Sequence, residues 1–167
     1  MATGEIRVKV GATIVKENCA MDIESAVSKV RQSFGARTPD EVDTILRAVH
    51  MRRKGERELS DMNDRFKDFW IALETLINMD GRIDHIAERI ENALIQLYES
   101  NNPGKKYKVK SGYEIILIKK ERVGQIHYAI ENTKQLSQLK AILDDIIRSE
   151  VGLDHRGYAK QYLEEKI

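Results

Sequence analysis

Apolar residues recur every three or four positions through most of this chain and alternate singly only near its start. Between residues 5 and 16, Ile6, Val8, Val10, Ala12 and Ile14 take turns with Arg7, Lys9, Gly11 and Thr13, the period of a strand with one buried face. A short helix over about 22–34 is expected next. Asp22 can cap it, Ile23, Val27, Val30 and Phe34 form its stripe, and Gly35 is placed to end it. A lone strand cannot satisfy its own backbone groups, so this βα piece calls for a partner: a second copy, or the rest of a larger N-terminal domain.

Beyond Gly35 the pattern is helical throughout. Thr38-Pro39-Asp40-Glu41 is a helix start, with threonine as cap, proline in the first turn and a glutamate able to close a capping box. Val42, Ile45, Leu46 and Val49 then share one face. A helix over roughly 61–79 carries Phe66, Phe69, Trp70, Leu73, Leu76 and Ile77 at three-and-four spacing, the mark of a buried stripe. Gly81 separates it from a helix at about 82–99 with Ile83, Ile86, Ala87, Ile90, Leu94, Leu97 and Tyr98 on one side. Ser100-Asn101-Asn102-Pro103-Gly104 is the clearest loop. Further helices are expected at 114–131, at 133–150 with Leu136, Leu139, Ile142, Leu143, Ile146 and Ile147 inward, and as a short piece within 155–167. The predicted fold is mainly α: an antiparallel up-and-down bundle of four to five helices over 37–167, preceded by a short β-strand and helix over 1–36.

Composition narrows the function classes. No apolar run approaches the ~20 residues of a membrane span, and the N-terminus lacks the basic-then-apolar profile of a signal peptide. A cytoplasmic protein without membrane attachment is the expectation. One cysteine, Cys19, excludes an internal disulfide and a cysteine-built zinc cage. With 28 basic and 27 acidic residues the net charge is +1, so affinity for a polyanion has to come from a local patch. Between Lys105 and Arg122 such a patch exists. Lys105, Lys106, Lys108, Lys110, Lys119, Lys120 and Arg122 stand against Glu114 and Glu121, and seven minus two is +5. Tyr107 and Tyr113 interleave with these lysines, as side chains that stack on unpaired bases do; the plain alternative is a solvated loop.

Among the histidines, His50 and His155 read as solvated surface residues. His85 and Glu88 have the i, i+3 spacing of di-iron bundles, but the further carboxylates of such a site are missing, so no metal and no cofactor is expected. His127 differs. It closes Lys119-Lys120-Glu121-Arg122-Val123-Gly124-Gln125-Ile126-His127, and an arginine with a histidine suits phosphodiester chemistry. The imidazole exchanges a proton near neutral pH, while the guanidinium holds a phosphate oxygen and offsets charge that grows in the transition state. Five helical steps turn about 140°, so the two share a face only if the helix is irregular between them, where Gly124 lies. The competing reading leaves Arg122 solvated and His127 half-buried against the other helices.

The segment Phe69-Trp70-Ile71-Ala72-Leu73-Glu74-Thr75-Leu76, followed downstream by Arg122-x4-His127, resembles the Apea-like branch of the HEPN superfamily over roughly residues 40–150. That resemblance implies a helical bundle that dimerises and joins two R-x4–6-H motifs in one cleft. It also implies metal-independent cleavage of single-stranded RNA, often in toxin–antitoxin or phage-defence systems. Carried over, His127 is the general acid or base, Arg122 the phosphate clamp and Glu74 a supporting residue that positions the arginine. An unspecialised helix-face carboxylate paired with a lysine is the alternative for Glu74. Lys105, Lys106, Tyr107, Lys119 and Lys120 form the expected RNA-binding rim, with a cognate antitoxin or a larger defence protein as a further expected partner. Two positions depart from the family pattern: Val123 follows the arginine where active motifs often carry a polar residue, and Tyr128 follows the histidine where many carry glycine. Inactive relatives keep the bundle for dimerisation or for binding nucleotide or protein, and this is the alternative function.

Overall fold

A computed structural model of the chain describes residues 13–57, 62–81, 84–111 and 133–167. Within them the protein is mainly helical, with helices α1 (Thr13–Gly35), α2 (Pro39–Glu56), α3 (Met62–Ile77), α4 (Ile86–Asn101) and α5 (Thr133–Glu150). A small antiparallel sheet pairs β1 (Tyr107–Val109) with β2 (Leu163–Glu165).

Helix α2 begins as its sequence predicts. Thr38 donates its backbone N–H to Glu41 Oε1 at 2.9 Å, and the Glu41 N–H returns to Thr38 Oγ1 at 3.2 Å. These two bonds satisfy donors that a helix start otherwise leaves open. The same Thr38 N–H holds the Glu41 carboxyl below its usual range. Ile45 and Ala48 of α2 face inward, and the buried Gly55 lets the helix approach α3 closely. A Cβ at Gly55 would lie 2.9 Å from the Phe69 ring.

Helix α3 is the centre of the core, packed against α2, α4 and α5. Phe66, Phe69, Trp70, Ala72, Leu73 and Leu76 are all buried, and the rings of Phe66 and Trp70 stack with centroids 6.5 Å apart. A 3-10 turn, Asn78–Asp80, follows α3 and ends at Gly81 with φ 86°. Arg89 ties this turn down, donating to Ile77 O at 2.6 Å, to Asp80 Oδ1 at 2.8 Å and to Asn78 Oδ1 at 3.0 Å. Helix α4 therefore starts at Ile86 rather than at 82, after His85 in the left-handed region at φ 52°. On the opposite side, the Arg52 guanidinium of α2 grips Asp144 of α5 with two bonds of 2.8 and 2.9 Å. Lys140 meets Glu56 at 2.8 Å beside it.

The structure corrects several sequence expectations. Residues 13–16, assigned to the first strand, belong to α1, where their carbonyls accept from N–H groups four residues further on; residues 5–12 lie outside the described residues. Asp22 is inside α1 rather than at its cap. Of the α1 stripe, Phe34 packs on the core, but Ile23 and Val27 are 53% and 42% exposed. The helix expected at 114–131 also lies outside the described residues. Residues 155–167 do not form a helix: a 3-10 turn (Lys160–Tyr162) leads into β2. Gly157 has φ 75°, and the N–H groups of Tyr158 and Ala159 are taken by the Asp145 carboxylate instead of by preceding carbonyls.

Candidate functional site

Arg122, His127, Lys119 and Lys120, together with Val123, Tyr128 and Tyr113, lie outside the described residues. Glu74, Lys105, Lys106 and Tyr107 lie within them.

Glu74 stands in the C-terminal half of α3, half-buried, and accepts a hydrogen bond from Trp70 Nε1 at 3.0 Å. Trp70 is only 2% exposed, and a buried indole N–H needs an acceptor. The four-residue spacing brings the carboxylate to the N–H edge of that ring. Among the described residues its hydrogen-bond partner is the tryptophan of the same motif. An ionised carboxylate has about four acceptor directions, so one indole leaves capacity for a guanidinium.

The basic segment enters through Gly104, at φ 87°, and runs into β1. Three of its lysines meet carboxylates. Lys105 Nζ is 3.0 Å from Glu165, Lys106 Nζ is 3.7 Å from Glu99, and Lys108 Nζ is 3.4 Å from Glu164. The hydrogen bond that Lys105 donates to Glu165 raises its ammonium above its ordinary value. Glu99 has a second task, accepting the Tyr107 N–H at 2.9 Å and so holding β1 on α4. Tyr107 does not fit the expected base-stacking role. Its ring is buried and meets Tyr98 edge-on, with centroids 6.0 Å apart at 70°. Alternation along the short strand turns Tyr107 inward and leaves Lys108 outward.

No family model, no curated protein and no solved structure matches this chain.

Among the described residues, one developed polar cluster was missed by sequence reasoning. Asp145 of α5 is fully buried and accepts three hydrogen bonds: Tyr98 Oη at 2.6 Å, Ala159 N at 2.9 Å and Tyr158 N at 3.2 Å. Burial, then the bond to Asp145, pushes the Tyr98 phenol far above its ordinary value. His155, expected to be solvated, is half-buried with its ring 4.3 Å from that of Tyr98, and its Nδ1 accepts the Gly157 N–H at 3.0 Å. The sequence held one signal. Gln138 and Asp145 stand seven apart within the apolar stripe of α5, and both are buried. With all its donors internal, the cluster fastens the segment after α5 to the core; the arrangement is that of a clasp.

His50 is exposed, and so is His85, which lies 3.8 Å from Asp84. Among the described residues no group of three or more His, Cys, Asp or Glu side chains could hold a metal ion. Among them also, no helix is long and apolar enough to cross a membrane. A cleft of about 330 Å³ opens between α3, α4 and α5, floored by Leu76, Leu97 and Ile146. Ser100 and Asn101 in its lining donate to carbonyls of their own helix, and Glu150 there meets Arg37 at 3.0 Å.

Proposed function

We propose that this protein is a metal-independent endoribonuclease of HEPN type, cleaving single-stranded RNA at a site that two copies build from Arg122 and His127. The finer architecture, an up-and-down helical bundle that dimerises, belongs to the same proposal. His127 moves the proton of the ribose 2′-hydroxyl as that oxygen attacks the adjacent phosphorus, and Arg122 neutralises the charge on the phosphate oxygens. The observation that carries the reading is the Trp70–Glu74 pair. A half-buried carboxylate, held at 3.0 Å by a buried indole and with acceptor directions to spare, is what orienting an arginine requires.

A second reading, a non-catalytic helical module that dimerises or binds nucleotide or protein, is favoured by the basic segment. Lys105, Lys106 and Lys108 all face carboxylates, and Tyr107 is buried. Val123 beside Arg122 points the same way.

Incubating the full chain with mixed single-stranded RNA in EDTA separates the two. The enzyme yields fragments ending in 2′,3′-cyclic phosphate, leaves DNA intact and is silenced by His127→Ala without loss of fold. Cleavage that survives His127→Ala, or that EDTA abolishes, sinks the proposed chemistry. A well-folded protein that cleaves no RNA establishes the module instead.

A further inference from the structure

Strand β2 carries Glu164 and Glu165 against the lysines of the segment that contains β1. Register sets this pairing: Tyr107 faces Glu165, Lys108 faces Glu164 and Val109 faces Leu163. The backbone holds the acidic strand in place independently of its carboxylates. Lys110 N donates to Tyr162 O at 2.8 Å, Lys166 N donates to Lys106 O at 2.8 Å, and Leu163 is buried. The glutamates are therefore presented to Lys105 and Lys108 rather than being needed to hold the strand. Each ion pair is about half exposed: side-chain exposures are 53% and 54% for Lys105–Glu165, and 55% and 44% for Lys108–Glu164. Pairs this open are weak and screened by salt, so a chain of phosphates can displace them. The Glu99–Lys106 contact is different, because Glu99 also binds the backbone of β1.

We propose that β2 acts as a built-in competitor for nucleic acid, its Glu165 and Glu164 carboxylates occupying the Lys105 and Lys108 ammonium groups that would otherwise meet RNA phosphates. The proposal rests on the RNA-binding part of the function proposed above and adds its regulation. Basic residues beside the motif are held at low affinity until a polyanion, or a basic partner that draws the glutamates away, frees them. Glu164 covers Lys108 on the outward face of the ribbon, and Glu165 covers Lys105 at its end, so the two lysines are guarded separately.

The test compares the full chain with E164Q/E165Q, which keeps side-chain size and the backbone ladder while removing both charges. A labelled oligouridylate titrated over a range of salt measures RNA affinity, and elution from immobilised heparin measures exposed positive charge without reference to RNA. Release of the two lysines tightens oligouridylate binding roughly three- to tenfold at low salt, the scale of two exposed ion pairs. It steepens the dependence of log affinity on log salt by about 1.4, or ~0.7 for each further phosphate neutralised on a single strand. Heparin elution moves to higher salt, and K105Q/K108Q added to the double variant cancels both effects. The single variants E164Q and E165Q report which of the two lysines the RNA meets. Unchanged heparin elution and RNA affinity in a folded double variant overturn the proposal, even if His127-dependent cleavage is present. A variant that fails to fold overturns it too, since the glutamates then hold the strand. A rise in heparin affinity with no RNA binding by either protein leaves the masking standing and removes the RNA reading instead.

Discussion

Replacing Tyr98 by phenylalanine deletes one oxygen and tests whether Asp145 is a clasp. The lost bond, 2.6 Å to a carboxylate inside the core, belongs to the class worth about 1.5–3 kcal/mol. Asp145→Ala is harsher. It strands the Tyr98 hydroxyl and the Ala159 N–H, whose bonds to Asp145 are both buried, while the Tyr158 N–H is close enough to the surface for water to replace the carboxylate. Two stranded donors at about 1–3 kcal/mol each, with a small cavity, come to roughly 3–5 kcal/mol. Asp145→Asn falls between, because its amide can still accept one backbone N–H but turns a second N–H group toward another donor. At about 2–4 °C per kcal/mol for a chain of this size, Tyr98→Phe lowers the melting temperature by roughly 3–12 °C and Asp145→Ala by roughly 6–20 °C. Urea unfolding of both single variants and the double variant closes the cycle. The combined loss is smaller than the sum by about 1–3 kcal/mol, since the second substitution finds the bond already gone. A Tyr98→Phe protein as stable as the parent, with strictly additive losses, would show that the carboxylate does not clasp this segment.

Gly55→Ala should destabilise by about 1–2 kcal/mol. The new Cβ lies 2.9 Å from a Phe69 ring with no exposed surface into which to swing, and the overpacking exceeds the ~0.5–1 kcal/mol that alanine returns to a helix; a urea melt measures it. Alkaline unfolding should steepen because of Tyr98. Its phenol is raised above the ordinary value of 10.0 by burial and then by Asp145. The unfolded tyrosine therefore loses its proton first, and the stabilisation is complete below that pH and declines above it. Tyr98→Phe should flatten the decline between about pH 9 and pH 11, and an unchanged slope would refute the assignment.

Where local chemistry decides structure, the sequence was a good guide. Thr38, Pro39 and Glu41 announce α2, and the matching capping box forms. The stripe from Phe66 to Leu76 is the core that its spacing predicts, and that of α5 from Leu136 to Ile146 is buried as well. Where distant residues decide, patterning offered little. Tyr107-Lys108-Val109 and Leu163-Glu164-Glu165 are too short for any period to register, and each is a strand only because the other lies beside it. Asp144 and Asp145 are adjacent and chemically identical, yet one meets Arg52 near the surface and the other is fully buried under Tyr98. At the candidate site, Lys105 and Lys106 were legible as a basic run. Their partners Glu165 and Glu99 were not, because nothing local couples those positions.

The clasp also bears on how the chain is made. Helices α2 and α3 are neighbours in sequence and pack closely, so they can associate while later residues are still being added on the ribosome. Tyr98 and Tyr107 cannot finish burial that early, because the groups that cover or pair with them are Asp145, Ala159 and the β2 residues up to Glu165. Until residue 165 clears the exit tunnel, two aromatic side chains and one edge of β1 wait for their cover. In translation this interval, rather than the assembly of the α2–α3 core, is when the nascent protein is most open to chaperones and to misassociation.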